Sequence, residues 1–136
     1  MISSEKIEEL VKAAREARMN AYAPYSDFKV GAALLGKSGA IFTGCNVENS
    51  TYGLTVCAER VAVWKALSEG SRSFTGMAVV TESHKITPPC GPCRQILWEF
   101  CGDMEIVMAN KRGLRRCMRL RRLFPEPFED SFFRFK

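Results

Sequence analysis

Two short stretches carry three cysteines at the spacing of a metal site: residues 57–60 read Cys-Ala-Glu-Arg, and residues 89–94 read Pro-Cys-Gly-Pro-Cys-Arg. Cys57 and Cys90 each open a segment with a helical pattern, and Cys93 follows Cys90 by one helical turn, on the same face. Three thiolates can hold a zinc ion at three corners of a tetrahedron, and no fourth ligand stands at a matching spacing. The pattern predicts two helix starts that meet at one zinc ion, with its remaining position open to water.

Glu59 stands two residues after the first of these cysteines. A carboxylate there would lie beside the water as a proton carrier without being a ligand itself. Two other interpretations stay open. A redox dithiol at 90–93 would leave Cys57 and Glu59 without a role, and a closed structural zinc site would need another cysteine as fourth ligand. The cysteines available for that are Cys45, Cys101 and Cys117.

Each stretch ends in an arginine, Arg60 in the first and Arg94 in the second. Three thiolates on Zn²⁺ leave a net negative charge, which makes a bound water a poorer acid. Helix N-termini favour thiolates, and we expect the two arginines to relieve the charge further by donating hydrogen bonds to sulfur.

The composition is that of one folded domain over residues 1–136, long enough to bury roughly two-thirds of its unfolded surface. Residues 1–6 lack a basic segment followed by an apolar one, and nowhere do about 18 uncharged apolar residues run together. We therefore expect a cytoplasmic protein without membrane contact. Its cysteines should be reduced, with Cys45, Cys101 and Cys117 as small buried side chains.

The net charge of +5 is concentrated in a basic C-terminal segment, 111–136. Residues 1–110 carry 11 Lys and Arg against 12 Asp and Glu, whereas residues 111–136 carry 9 against 3. Clustered cations can contact nucleic-acid phosphates. Charge runs are more often a solvated face, and interleaved apolar residues here indicate the buried side of a strand and a short helix. Those residues are Leu114, Cys117, Met118, Leu120 and Leu123.

The hydrophobic periodicity predicts an α/β layered domain, with an antiparallel hairpin first and parallel strands later. The first helix should be capped by Ser3 or Ser4. The predicted helices are 4–20, 57–69 and 90–100, and the predicted strands are 28–35, 40–45, 74–81, 104–109 and, more weakly, 114–118.

Asn46 and Glu48 follow the hairpin and are separated by Val47. Residues two apart in extended backbone point to one side, so this amide and carboxylate could grip the vicinal hydroxyls of a ribose. A turn with a helix-capping asparagine is the other interpretation.

Taken together, the chain resembles the small, three-cysteine form of the cytidine deaminase family. Besides the two cysteine stretches, the resemblance rests on Ala-Pro-Tyr-Ser at 23–26, Val-Gly-Ala-Ala-Leu at 30–34 and Gly-Cys-Asn-Val-Glu-Asn at 44–49, and it spans about residues 7–128. It implies a three-layer α/β/α fold with a five-stranded mixed sheet. It also implies one Zn²⁺ per subunit on Cys57, Cys90 and Cys93, with Glu59 as the proton shuttle.

The resemblance implies a substrate site as well. Asn46 and Glu48 would hold the ribose with Val47 between them, Phe28 would pack on the pyrimidine, and Ala58 would offer its N–H to the pyrimidine carbonyl.

Family members are homotetramers, so Tyr52 and Phe128 are expected to reach a neighbouring subunit's pocket. Phe128 could instead be an ordinary apolar anchor of the tail. The sequence departs from the family pattern in the Arg-rich segment 111–122 and in Phe-Phe-Arg-Phe at 132–135.

The function implied is zinc-dependent hydrolytic deamination of cytidine and 2′-deoxycytidine in pyrimidine salvage. Two alternatives within the same chemistry are an aminonucleoside antibiotic and a base in RNA or DNA as substrate. A third alternative is a non-catalytic zinc module that binds RNA through residues 111–122.

Overall fold

The computed structural model describes residues 1–133. Residues 134–136, the end of the predicted basic segment and of the extra aromatic tail, lie outside the described residues. Within 1–133, no helix is both long enough and apolar enough to cross a bilayer. Short 3-10 turns lie at Tyr52–Leu54 and Asp130–Phe133. The helices are α1 (Ser4–Arg18), α2 (Ala58–Ser68), α3 (Gly91–Cys101) and α4 (Leu120–Leu123), and the strands are β1 (Val30–Gly36), β2 (Ile41–Cys45), β3 (Phe74–Thr81), β4 (Glu105–Ala109) and β5 (Arg115–Arg119).

The five strands form one mixed sheet in the order β2-β1-β3-β4-β5. Strands β3 and β4 are parallel, and the other neighbouring pairs are antiparallel. The five-stranded mixed sheet expected from the sequence is confirmed. The last pair departs from the expectation of parallel neighbours, because β4 and β5 form a hairpin in which Asn110 Oδ1 accepts from the backbone N–H groups of Arg112 and Leu114.

Helices cover both faces of the sheet, which confirms the three-layer arrangement. Alternate residues of β1, β3 and β4 point to opposite faces. Leu34, Met77 and Ile106 pack with α2 and α3 in one apolar cluster, while Leu35, Val80 and Val107 pack with α1 in the other. Helix α1 begins after Ser3, whose hydroxyl accepts from the N–H of Lys6 at 3.2 Å.

Gly44 permits close contact between β2 and α2. A Cβ at this position would stand 2.5 Å from both the carbonyl oxygen of Ala58 and the nitrogen of Ala62. Cβ atoms do not approach backbone so closely, so only glycine lets the first turn of α2 lie directly on the sheet.

The prediction of a buried side in the basic segment is only partly right. Leu120 is fully buried and Met118 and Leu123 pack against the core, but Leu114 is 60% exposed and Cys117 is exposed. The reason is that β5 is the edge strand of the sheet, that Leu114 precedes it, and that Cys117 points to the face opposite to Met118. Of the three cysteines expected to be buried, Cys45 and Cys101 are half-buried, and all six cysteines are free thiols.

Candidate active site

The thiols of Cys57, Cys90 and Cys93 converge where α2 and α3 begin. Cys57 is the N-cap of α2, Cys90 is the N-cap of α3, and Cys93 lies in the first turn of α3. The sulfurs of Cys57 and Cys90 are 3.9 Å apart, and all three sulfurs lie within 4.8 Å of one another. Tetrahedral zinc with Zn–S bonds of about 2.3 Å requires sulfurs about 3.8 Å apart. The cluster therefore fits a zinc ion in both donor type and spacing.

The proton affinities within the cluster are uneven. Hydrogen bonding from Cys93, supported by Arg60, lowers the pKa of Cys57 to about 5. The same contact with Cys57, together with burial, raises the pKa of Cys93. One thiolate therefore forms readily near neutral pH, and the thiolate is the form that binds metal.

The two arginines expected to contact sulfur have different partners. Arg60 Nη2 donates to the Sγ of Cys57 at 3.3 Å, and this bond raises the pKa of Arg60. Arg94 instead donates from Nε to the carbonyl oxygen of Pro89 at 2.7 Å and from Nη1 to the carbonyl oxygen of Leu123. Within residues 1–133, Arg94 makes no hydrogen bond to a sulfur. Its two bonds instead join Pro89, the residue before Cys90, to the end of α4.

Glu59 is buried beside the three sulfurs, with 4% of its surface exposed. Burial, and then the negative charge of the Cys57 thiolate, raises its pKa to about 7. A carboxyl with this pKa can both accept and donate a proton near neutral pH.

A cavity of about 260 Å³ opens between these residues and the first hairpin. Its wall includes five of the residues predicted from the sequence to bind substrate or carry protons, together with Cys57 and Cys90. Those five are Phe28, Asn46, Glu48, Ala58 and Glu59. Val47 is not part of this wall. It is 44% exposed and bonds through its backbone to Val56.

Comparison with known proteins agrees with this geometry. A family model described as the cytidine and deoxycytidylate deaminase zinc-binding region matches residues 4–110. The chain belongs to that family. A cytidine deaminase of Sporosarcina psychrophila is 46% identical over 126 residues, which cover 92% of this chain and 93% of the relative. One of Halalkalibacterium halodurans is 47% identical over 120 residues, covering 88% and 91%.

A solved structure extends the agreement to the whole deaminase fold. The crystal structure of cytidine deaminase from Burkholderia pseudomallei matches with a TM-score of 0.87 at 46% identity, covering 93% of this chain and 100% of that one. The resemblance drawn from the sequence is thus confirmed, and the zinc cofactor expected from the cysteines agrees with the zinc-binding region of the family model.

Asn46 and Glu48 of this deaminase hold a loop of their own chain at the cavity wall. Asn46 Oδ1 accepts from the N–H of Val30 at 2.9 Å, and its Nδ2 donates to the carbonyl oxygen of Phe28 at 2.8 Å. Glu48 Oε1 accepts from the N–H groups of Tyr25 and Ser26 at 2.9 and 3.1 Å. Both residues therefore fix the segment that carries Phe28, a role that residue spacing did not predict.

Sequence reasoning missed Ser26, which also lines the cavity. Its hydroxyl donates to Oε2 of Glu48. The available signal was its place in the Ala-Pro-Tyr-Ser segment used for the family resemblance, because a single serine in a loop carries no pattern of its own. Thr55, Thr87 and Pro88 line the cavity as well and were not predicted.

The two residues expected to cross between subunits lie outside this cavity. Tyr52 is 71% exposed and packs edge-on against Tyr25, with ring centroids 5.5 Å apart. It lines a groove that adjoins the cavity at Ser26 and Glu48. Phe128 is 54% exposed and packs against Phe132 and Phe133.

Several cations of the basic segment interact with the deaminase's own side chains. Both terminal nitrogens of Arg115 donate to the carboxylate of Glu8. Arg119 Nε lies 3.5 Å from a carboxylate oxygen of Asp103. Arg121 stacks over the ring of Trp98 at 4.4 Å. Part of the positive charge of the basic segment is therefore paired with side chains of the same chain.

Proposed function

We propose that this protein hydrolyses cytidine and 2′-deoxycytidine to uridine and 2′-deoxyuridine with release of ammonia. The observation that carries the proposal is the buried carboxyl of Glu59, with its pKa raised to about 7, beside three converging thiols, two of which line the same cavity. The printed names of relatives that span nearly the whole chain support the same reaction.

Cys57, Cys90 and Cys93 would hold zinc, which supplies Lewis-acid polarisation of a water when bound. The hydrogen bond from Arg60 would offset part of the negative charge on this ligand set, because it acts directly on one sulfur at 3.3 Å.

Glu59 would carry the protons of the reaction. It would accept a proton from the attacking water, deliver it to N3 of the pyrimidine, and then carry the second proton of that water to the departing amine, so that oxygen stays on C4 and ammonia leaves. One carboxyl suffices because the transfers are sequential, and a pKa near the working pH suits both directions.

The base would lie between Phe28 and the start of α2. Ala58 is the first residue of α2, and N–H groups in the first turn of a helix have no partner within the helix. The N–H of Ala58 could therefore donate to the pyrimidine carbonyl, while Phe28, 38% exposed at the cavity wall, packs on the ring.

Asn46 and Glu48 would hold the hydroxyls of the sugar, with Val47 as the spacer that aligns them. The carboxylate of Glu48 is buried, with 8% of its surface exposed, and hydrogen bonds from Ser26 and from the N–H of Tyr25 lower its pKa, so it is an anion at neutral pH. A grip on the 3′ hydroxyl leaves no room for a continuing phosphate, which favours a free nucleoside as in pyrimidine salvage.

The assembly would be a homotetramer in which Tyr52 and Phe128 complete the pocket of a neighbouring subunit. Their exposure, 71% and 54%, leaves both rings available for such contacts.

The test is zinc content per chain and turnover of cytidine, measured by ultraviolet absorbance on the same preparation, with Glu59→Gln as the matched variant. We expect zinc in both proteins and uridine formation at least about 100-fold slower from the variant. A zinc-loaded protein that leaves cytidine unchanged contradicts the proposal. Turnover of an aminonucleoside antibiotic, or salt-sensitive RNA binding, would then identify which alternative applies.

A further inference from the structure

The carboxylate of Glu48 has almost all of its acceptor positions occupied by its own chain. Its Oε1 accepts from the backbone N–H groups of Tyr25 and Ser26, at 2.9 and 3.1 Å. Its Oε2 accepts from the hydroxyl of Ser26. A carboxylate offers about four lone-pair positions, two on each oxygen. The position that remains is on Oε2, the same oxygen that Ser26 holds.

The hydroxyl of Ser26 has a second partner. It accepts from the N–H of Phe28 at 3.0 Å while it donates to Glu48. The residue between them, Asp27, has a φ of 56°, a left-handed conformation that non-glycine residues adopt at a cost. The hydroxyl of Ser26 therefore links two parts of the cavity wall. One is the carboxylate of Glu48, on the side proposed for the sugar, and the other is the backbone of Phe28, whose ring is proposed to pack on the base.

We propose that Ser26 is a positioning residue that aims Oε2 of Glu48 at the 3′ hydroxyl of the nucleoside and fixes Phe28 through the same side chain. This inference rests on the proposed function, because it assigns the free position of Glu48 to the substrate. This role requires a side chain at position 26 that donates one hydrogen bond and accepts another at the same time. Serine and threonine can do both, and alanine can do neither.

The test compares cytidine with 3′-deoxycytidine, which lacks the hydroxyl in question. In the wild type, removal of this hydroxyl should raise KM. In Ser26→Ala, KM for cytidine should rise about tenfold or more, since tenfold is the lower end for a hydrogen bond to a charged group, and kcat should change less. KM for 3′-deoxycytidine should rise by a smaller factor, so the penalty for losing the hydroxyl shrinks.

Ser38→Ala is the matched control. Like Ser26, Ser38 accepts through its hydroxyl from a backbone N–H two residues later, that of Ala40 at 3.4 Å. It lies in the β1–β2 turn and, among residues 1–133, bonds to no carboxylate. Ser38→Ala should leave KM for both nucleosides unchanged, and Ser26→Thr should restore the wild-type ratio of the two KM values. Ser26→Cys, which keeps the volume with only a weak donor, replaces the alanine variant if that variant lacks a cooperative unfolding transition.

Equal losses for cytidine and 3′-deoxycytidine in Ser26→Ala would overturn the inference, because a merely structural role affects both substrates alike. Unchanged kinetics would overturn it too. A zinc-loaded wild type that deaminates neither nucleoside would instead overturn the proposed function and this inference with it, and the two failures are therefore distinguishable.

Discussion

Arg60 donates a hydrogen bond from Nη2 to the Sγ of Cys57 at 3.3 Å, across the first turn of α2. Arg60→Gln removes this charged donor from the ligand set. Partners of metal ligands typically contribute about 10- to 100-fold to metal affinity or activity. We therefore expect a loss of that size in zinc affinity, measured by competition with a chromophoric chelator, and slower cytidine turnover. Unchanged affinity and unchanged turnover would show that the contact has no role in the metal site.

Arg94→Gln provides the contrast, because Arg94 donates to the carbonyl oxygens of Pro89 and Leu123 rather than to sulfur. Loss of charged hydrogen bonds of this kind costs about 1–3 kcal/mol of unfolding free energy. The expected result is a lower midpoint in denaturant with zinc affinity less affected than in Arg60→Gln. A variant of wild-type stability that loses zinc as Arg60→Gln does would contradict this division of roles.

Glu59→Gln should separate metal binding from proton transfer. The amide has the same size but cannot carry a proton, and general acid–base groups contribute about 10²- to 10⁴-fold to rate. We expect normal zinc content, a loss of kcat in that range or beyond, and an unfolding midpoint no lower than that of the wild type, because a buried carboxyl with a raised pKa is replaced by a neutral group. Near-normal turnover would contradict the assignment of Glu59 as the proton carrier.

Acidification should lower the thermal stability of the wild type because Glu48 becomes protonated. Its pKa in the folded protein lies below the ordinary 4.5. A carboxyl with a depressed pKa contributes stability that is fully present above its unfolded pKa and is lost as pH falls through its folded pKa. Between about pH 5 and pH 3, the thermal midpoint of the wild type should therefore fall more than that of Glu48→Gln. Parallel curves would show that the bonds from Ser26 and Tyr25 do not favour the anion.

The proposed crossing of Phe128 between subunits can be tested by complementation. Glu59→Gln and Phe128→Ala chains, each of low activity alone, are co-expressed with different tags and purified through both. In a mixed assembly, a Phe128→Ala subunit keeps Glu59 and receives Phe128 from its neighbour, so activity should exceed the sum of the two pure variants. Activity equal to that sum would place Phe128 within its own subunit as a tail anchor.

The sequence was sufficient to predict the three layers of the fold and the cluster of three cysteines, because both depend on local patterns. Cys57 and Cys90 lie at helix starts, which the sequence pattern predicts. Because β2 and β3 both pair antiparallel with β1, they run in the same direction, and the helices that follow them begin at the same edge of the sheet. The burial of Glu59 follows from the same geometry.

What the sequence could not show depends on contacts between distant residues or on what covers a surface. The bond from Ser26 to Glu48 joins residues 22 positions apart in a loop without periodicity. In β5 the alternation of apolar and basic residues was visible, yet Cys117 is exposed, because the apolar cluster under α1 includes its neighbour Val107 on β4 but does not extend to Cys117 on the edge strand. Arg94 looked equivalent to Arg60, and only the positions of Pro89 and of α4 gave it different partners.

The contact at Gly44 also limits how this enzyme can be re-engineered. The helix that rests on it, α2, carries Glu59, and its N-cap is Cys57. Variant libraries intended to admit larger bases should therefore keep position 44 fixed and diversify the cavity wall at Thr87 and Pro88. Any side chain at position 44 would displace the carboxyl of Glu59 and the sulfur of Cys57 at the same time.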